Sequence, residues 1–429
     1  MSRSSTPLDS THTGTVDGFT HGGEGVVRVE GKAVFVAGAL PGEEVVLRIT
    51  EDQDRWARGV VDEVLEASPD RVEPPCPVAA TCGGCDLQHA APEAQVRLKT
   101  RVVREQLERL GKFSEPNVLP GRAVGPALGY RAHARLHAAP DGRLGFHAEG
   151  TNDVVPIDHC PVLTPVANQL LAQVGTETGA TEVELRTDGV DPDGDPADGV
   201  VVLTPGPGPL DVPDGDHALL LQQPDDIDGG ASGTVALRGD GVLDVEVAGL
   251  TYALPTGGFF QVSTHAAEAL VAEVLRAAGE VDGRLVWDLY AGVGLLSLPL
   301  ARAGAEVLAI EGNPAAAAAA RVNAEENDLE ITVEEGDVHE ALRDRAREGV
   351  LDLPDVVVLD PPRTGVGAAA IEDLAALAPP RIVLVACDPA SLARDAKALA
   401  AAGYRLEEVQ PLDLFPMTHH VEAVATLVR

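Results

Sequence analysis

The sequence predicts a multidomain α/β protein, with a parallel, doubly wound sheet at the C-terminus preceded by a small β-barrel and a β-rich central region. Three observations carry this expectation. The chain has 429 residues, more than one ordinary domain holds. From about Leu250 onward, apolar strand patterns alternate with alanine-rich helical ones, the signature of a parallel sheet. Residues 11–65 instead show short alternating strands between glycine turns. The expected parts are 1–67, 68–250 and 251–429.

The barrel is read from Gly14-Thr-Val16, Gly25–Val29, Ala33–Val36 and Val45–Ile49, which suggest a five-stranded, oligonucleotide-binding type of barrel. Pro69 to Pro92 is rich in Pro, Cys and Gly and has no periodicity, so something other than an apolar core must hold it. Pro92 suits a first helical position, and the segment to about Leu110 places Val96, Val103, Leu107 and Leu110 on one stripe. Strand-like segments return from Tyr130 to Leu163. Asp188 to Asp228, dominated by Asp, Gly and Pro, reads as long acidic loops or hairpin tips. Buried strands are expected at Leu285–Trp287, Glu306–Ile310, Val356–Leu359 and Ile382–Val385, and Ala315–Ala320 reads as a small-residue helix.

Hydrophobic residues make up 45% of the chain, enough for sizeable cores. No apolar run reaches a membrane-spanning length, and the first 20 residues show no secretory signal, so a cytoplasmic location with no membrane partner is expected. The net charge of -36 argues against a polyanionic partner. That charge is uneven, however. Arg97 to Arg143 holds ten Lys/Arg against four Asp/Glu, so a local basic face could still contact phosphates.

The cofactor signals lie at strand ends. The first strand of the C-terminal part runs into Asp288-Leu-Tyr-Ala-Gly-Val-Gly294, where glycines let backbone approach a ligand beside a helix N-terminus. Glu311 ends the next strand, where an acid can bind ribose hydroxyls, and Asp337 follows the third, a place suited to an adenine edge. These three alone indicate a nucleoside-type cofactor. The fourth strand ends in Asp360-Pro-Pro-Arg363, a turn resembling that of nucleic-acid methyltransferases, which narrows the cofactor to S-adenosylmethionine.

Methylation of uracil at C5 needs a thiolate on C6 to make C5 nucleophilic, and then a base to take the C5 proton. Cys387 ends the next strand at a helix N-terminus, where the dipole is expected to lower its pKa. Glu422 follows Phe415-Pro-Met-Thr-His-His-Val and could return to the same cleft. Together with Gly258-Phe-Phe-Gln261 and Cys387-Asp-Pro-Ala-Ser-Leu-Ala-Arg-Asp395, these segments resemble, in order, the bacterial RNA (uracil-5-)methyltransferases. The resemblance implies a Rossmann-like class I methyltransferase domain, with Cys387 as nucleophile and Glu422 as base. It further implies that Gln261, Tyr290, Glu311, Asp337 and Asp360 line the cofactor or target site. Asp388 departs from the family's usual Asn, and Leu295 from a common polar residue.

Cys76, Cys82, Cys85 and Cys160 form a further set. A disulfide reading fits a cytosolic chain poorly, and the spacing admits either tetrahedral zinc or an iron–sulfur cluster. The resemblance implies the latter, a [4Fe–4S] cluster as in ribosomal RNA members. The N-terminal barrel resembles the RNA-binding TRAM domain, with Arg28, Lys32 and Arg48 as candidate phosphate contacts. Tyr130-Arg131 matches a family segment near the RNA, which makes Arg131 a candidate contact. The resemblance favours 23S rRNA as partner, with the tRNA T-loop as runner-up, no DNA, and a monomeric chain. A target inside folded RNA must leave its stack. Two other classes remain open: an amino-group methyltransferase, which would not need Cys387, and a non-catalytic iron–sulfur RNA-binding protein.

Overall fold

The structure, a computed structural model, describes residues 8–175, 178–188, 198–222, 233–349 and 352–429. Five strands, β1 (Thr11–Phe19), β2 (Gly25–Val29), β3 (Lys32–Ala37), β4 (Glu44–Asp52) and β5 (Trp56–Glu66), close into a barrel in the order β1-β2-β3-β5-β4. Alternate side chains such as Val27, Val34, Val36, Leu47 and Ile49 point inward, as the two-residue period demands. β1 is longer than its apolar pattern because it also pairs with β4, Thr11 opposite Arg48, which closes the barrel. Buried Glu43 accepts from the N–H groups of Leu40 and Ser68 and from Arg71, tying the barrel to the segment that follows.

The helix α1 (Pro92–Arg109) begins at its proline as expected, but its buried face is different. Leu110 is exposed and Val96 only half-buried, while Gln95 and Lys99 are buried with Val103 and Leu107. The polar pair can be buried because the C-terminal loop satisfies it. Gln95 accepts from the Met417 N–H at 2.7 Å, and Lys99 donates to Asp413 at 2.5 Å and to the Phe415 carbonyl at 3.0 Å. The short β6 (Arg122–Ala123) then joins the edge of the C-terminal sheet.

The central region holds β7 (His133–Ala138), β8 (Leu144–His147), β9 (Val154–Pro156), α2 (Pro165–Val174), β10 (Ala180–Arg186), β11 (Val200–Pro205), β12 (Ala218–Gln222) and β13 (Thr234–Arg238). Its sheet runs β13-β12-β11-β10-β7-β8-β9, with Leu170 and Leu171 of α2 packed on Leu136, Leu185 and Leu203. Segments 189–197 and 223–228 of the expected acidic loops lie outside the described residues. The rest of that stretch is not only loop. β11 and β12 cross it, because Val200–Leu203 and Leu219–Leu221 are apolar enough to enter the core.

After the hairpin β14 (Leu243–Val247) and β15 (Leu250–Leu254) come α3 (Thr264–Ala278), β16 (Leu285–Leu289), α4 (Ser297–Arg302), β17 (Glu306–Glu311), α5 (Pro314–Glu326), β18 (Thr332–Glu335) and α6 (Val338–Glu348). The chain ends with β19 (Val356–Leu359), α7 (Ala368–Leu377), β20 (Arg381–Ala386), α8 (Pro389–Ala401), β21 (Arg405–Asp413) and β22 (Glu422–Val428). The sheet order is β18-β17-β16-β19-β20-β22-β21-β6, with apolar cores on both faces. β16 to β20 are parallel, and the order reverses between β16 and β19. That reversal opens a crevice at the carboxyl ends of the strands. Among the described residues no helix is long and apolar enough to cross a membrane.

Candidate active site

At the end of β16 the backbone is forced into an uncommon shape. Tyr290 has φ +66°, costly for a side-chain-bearing residue, and its N–H donates to the Ile310 carbonyl at 3.0 Å, so β17 holds it there. Gly292 then donates its N–H to Glu311 at 2.7 Å, which fixes the carboxylate at the end of β17. At Gly294, with φ +90°, a Cβ would lie 2.6 Å from Leu298, so only glycine fits that turn.

The neighbouring strand ends converge on the same crevice, a cavity of about 510 Å³. It brings together five of the expected residues, Gln261, Tyr290, Asp360, Cys387 and Glu422, with Leu295 on its wall. Glu311 is linked to it through Gly292. Asp337 stands apart: its carboxylate caps α6 by accepting from the Glu340 N–H at 3.0 Å, and its charge acts on the Tyr290 phenol. That phenol is 3.2 Å from His339. Three lining residues had no role in the sequence reading although their motifs were noted. Asp288 is fully buried, Arg363 is 3.4 Å from His420, and Phe259, 78% exposed, stands at the rim. For Phe259 the available signal was an apolar pair in a chain with 3% aromatics.

The cavity is strongly acidic. Burial pushes Asp360 up to about 7. Burial, and then the Asp360 charge, push Glu422 well above the usual carboxylate range, with Arg363 opposing. Asp288 also rises to about 7 through burial, against the Ser297 hydroxyl that it accepts at 2.5 Å, and with Asp360 and Glu311 adding to the rise. Its other oxygen, Oδ1, is buried without a partner. Burial and mutual repulsion among these carboxyls favour their protonated forms.

The thiol does not behave as its helix position suggests. Burial and then the Glu422 charge push Cys387 up to about 11, while Arg363 opposes. The cap of α8 is Asp388, whose carboxylate accepts the Ser391 N–H at 2.6 Å, so the helix N-terminus is already answered by an anion. The dipole's effect on the thiol is outweighed.

Elsewhere, Cys76, Cys82, Cys85 and Cys160 are free and line one small cavity, walled by Arg131, Phe146 and His159. Burial is the main cause that raises the Cys82, Cys85 and Cys160 thiols, and neighbouring thiol charges add to it. Among the described residues no group of three or more His, Cys, Asp or Glu could hold a single metal ion. Arg131 therefore stands at the cysteine cavity, its Nε donating to the His133 carbonyl at 2.9 Å.

The basic residues proposed for phosphate contact are largely committed within the molecule. Lys32 pairs with Asp52, and Arg48 with Asp62 at 3.2 Å, while Arg28 is exposed. Of the ten cations between Arg97 and Arg143, eight have protein partners: Arg97, Lys99, Arg101, Arg104, Arg122, Arg131, Arg135 and Arg143. Six of these (Arg97, Lys99, Arg101, Arg122, Arg135 and Arg143) pair with carboxylates, while Arg104 and Arg131 donate to carbonyls, so much of the expected basic face is neutralised within the molecule.

Comparison with known proteins agrees with this geometry. Residues 238–429 match the sequence profile of tRNA (Uracil-5-)-methyltransferases, and residues 11–61 that of the TRAM domain. An uncharacterized RNA methyltransferase of Streptomyces avermitilis is 37% identical over 427 residues, covering 95% of each chain. A 23S rRNA (uracil(1939)-C(5))-methyltransferase of Shewanella amazonensis is 35% identical, over 96% of this chain and 94% of its own. The crystal structure of Pyrococcus abyssi tRNA (uracil-54, C5)-methyltransferase with S-adenosyl-L-homocysteine superposes with a TM-score of 0.75 at 26% identity, covering 97% of this chain and 100% of that one. A likeness that runs through barrel, central region and catalytic sheet alike places the chain in the RNA (uracil-5-)methyltransferase family.

Proposed function

We propose that the protein transfers a methyl group from S-adenosylmethionine to C5 of a uridine in RNA, with Cys387 as nucleophile and Glu422 as base. One observation carries this reading: a single cavity at the switch point of the sheet holds a thiol, a buried carboxyl and the glycine-rich strand end together. The acidic lining and the orphaned Asp288 oxygen suit a cosubstrate bearing a sulfonium and an ammonium group. Gln261, Tyr290, Glu311, Asp337 and Asp360 would hold it or the target base, and it supplies an electrophilic methyl group when bound.

The protein's own residues do the rest. Cys387, its proton released to solvent, adds as thiolate to C6 of the uracil, and C5 becomes nucleophilic. Once C5 carries the methyl group, the Glu422 carboxylate takes the C5 proton. The released electron pair restores the C5–C6 double bond and expels Cys387. Phe259 at the rim offers a face on which an extruded base can stack.

The favoured substrate is 23S rRNA, supported by the name of the Shewanella relative. Transfer RNA is the second reading, favoured by the match to the Pyrococcus enzyme over nearly the whole chain. Mass spectrometry of ribosomal and transfer RNA from cells with and without the gene decides between them. Loss of 5-methyluridine from neither RNA refutes the proposal. So does a Cys387→Ala variant that still restores the modification. We further propose that Cys76, Cys82, Cys85 and Cys160 hold a [4Fe–4S] cluster, since four free thiols line one small cavity. The remaining guanidinium N–H groups of Arg131 are proposed to face the RNA. The working parts are the barrel (1–67), the cluster-bearing region (68–250) and the catalytic part (251–429).

A further inference from the structure

The turn between β1 and β2 is only partly exposed, with Gly23 buried. It reaches across the molecule to the loop that follows Cys387. His21 Nε2 lies 2.8 Å from an Asp388 carboxylate oxygen, and Asp388 is bonded directly after the proposed nucleophile. The same carboxylate caps α8 through the Ser391 N–H, and the Ser391 hydroxyl donates back to the Asp388 carbonyl at 2.9 Å. Asp388 therefore links three things: the barrel, the start of α8 and the peptide that carries Cys387.

A second contact fixes the turn from the other side. Gly23, with φ +81°, packs so closely that a Cβ would lie 3.0 Å from the His419 Cβ. His419 in turn pairs with Asp86 and meets the His21 ring edge-on, ring centroids 6.2 Å apart. Within the turn, the Gly23 N–H donates to the Thr20 carbonyl at 3.2 Å and the Thr20 N–H to the Glu24 carbonyl at 2.8 Å, so His21 is presented by a closed hairpin. The His21 ring is half-buried and its Nδ1 is enclosed.

The charge balance explains why the contact is needed here. Cys387 already stands among Glu422 and Asp360, with Arg363 as the opposing cation. Asp388 is a further carboxylate, in the residue bonded directly after Cys387. His21 and the Ser391 N–H engage that carboxylate on the side of α8 and hold it well below the usual range, to about 2, despite its burial. Without His21 the half-buried Asp388 carboxylate loses the partner that fixes its direction, in the residue bonded directly after the proposed nucleophile.

We propose that His21 of the barrel is a positioning residue for Cys387, acting through Asp388, so that the barrel completes the active site. The inference rests on Cys387 being the nucleophile. The test uses full-length protein, S-adenosylmethionine and RNA carrying 5-fluorouridine at the target, which traps the Cys387–C6 adduct because fluorine cannot leave C5 as the proton does. The rate of adduct formation is measured at saturating RNA, with KM followed separately. His21→Ala is expected to slow adduct formation about tenfold or more, with KM changed less than about twofold. Adding Asp388→Asn to His21→Ala is expected to recover the rate to within about threefold of wild type, because the stranded charge is removed while the cap is kept. A purely structural role for His21 would not be rescued by that second change. Equal adduct rates in wild type and His21→Ala, or a double variant as slow as the single one, overturn the inference. Absence of any adduct on Cys387 in the wild-type protein instead overturns the nucleophile assignment, a separate outcome.

Discussion

Cys387 sits one residue before the cap of α8, where the helix dipole favours a thiolate, yet burial and Glu422 keep its thiol protonated. Burial and the neighbouring carboxylates oppose ionisation of the thiol, so relieving them is expected to raise its reactivity. Replacing Glu422 by Gln removes the larger of the two carboxylate influences and also the base. Two outcomes are expected. Alkylation of Cys387, which in the wild type rises with pH toward about 11, shifts its midpoint to lower pH. With RNA and S-adenosylmethionine, Glu422→Gln accumulates a covalent protein–RNA species on denaturing gels, because the C5 proton is no longer removed. A Glu422→Gln protein that turns over freely removes Glu422 from the base role.

The element that ties the N-terminal half to the catalytic sheet is α1. It lies between barrel and central sheet in sequence but packs on α8 and β21 of the catalytic part. Its Lys99 and Asp413 form an ion pair only 2% and 4% exposed, and burial pushes both toward their neutral forms. Removing one partner strands the other. Lys99→Met is expected to destabilise the protein by about 3 kcal/mol or more in denaturant unfolding. Lys99→Met with Asp413→Leu is expected to regain most of that loss, since a well-packed apolar pair replaces a desolvated one. The sequence showed the helix and its start at Pro92. It could not show the buried face, because Gln95 and Lys99 count as surface residues until Met417, Phe415 and Asp413 come round to meet them.

Across the whole molecule, the segment between barrel and α1 has little apolar core of its own and lies where three parts meet. Cys85 faces both the cysteine cavity and a second cavity of about 360 Å³, lined by Gly22, Glu24 and Val60 of the barrel and by Glu149 of the central region. The next residue, Asp86, pairs with His419 of the catalytic part. A cluster at these cysteines would therefore brace all three. Protein purified without oxygen is expected to be brown with broad absorbance. Cys85→Ser is expected to lose both the colour and thermal stability, read as a lower Tm. Colourless protein with stoichiometric zinc refutes the cluster.

The sequence by itself determined the strand-end chemistry and the order of the parts. The glycines after β16, the Asp-Pro-Pro turn and the end of the Cys387 strand are local signals, because a doubly wound sheet delivers the carboxyl ends of its parallel strands to one edge. The roles expected of Cys387 and Glu422 came instead from the family resemblance. Only the tertiary structure decided the charges. Whether Arg48 is free or paired with Asp62, whether burial and Glu422 hold the Cys387 thiol up, and whether His21 meets solvent or Asp388 depend on partners from 14 to several hundred residues away. Electrostatic energy follows distance and burial rather than position along the chain, so none of these is written in a local pattern.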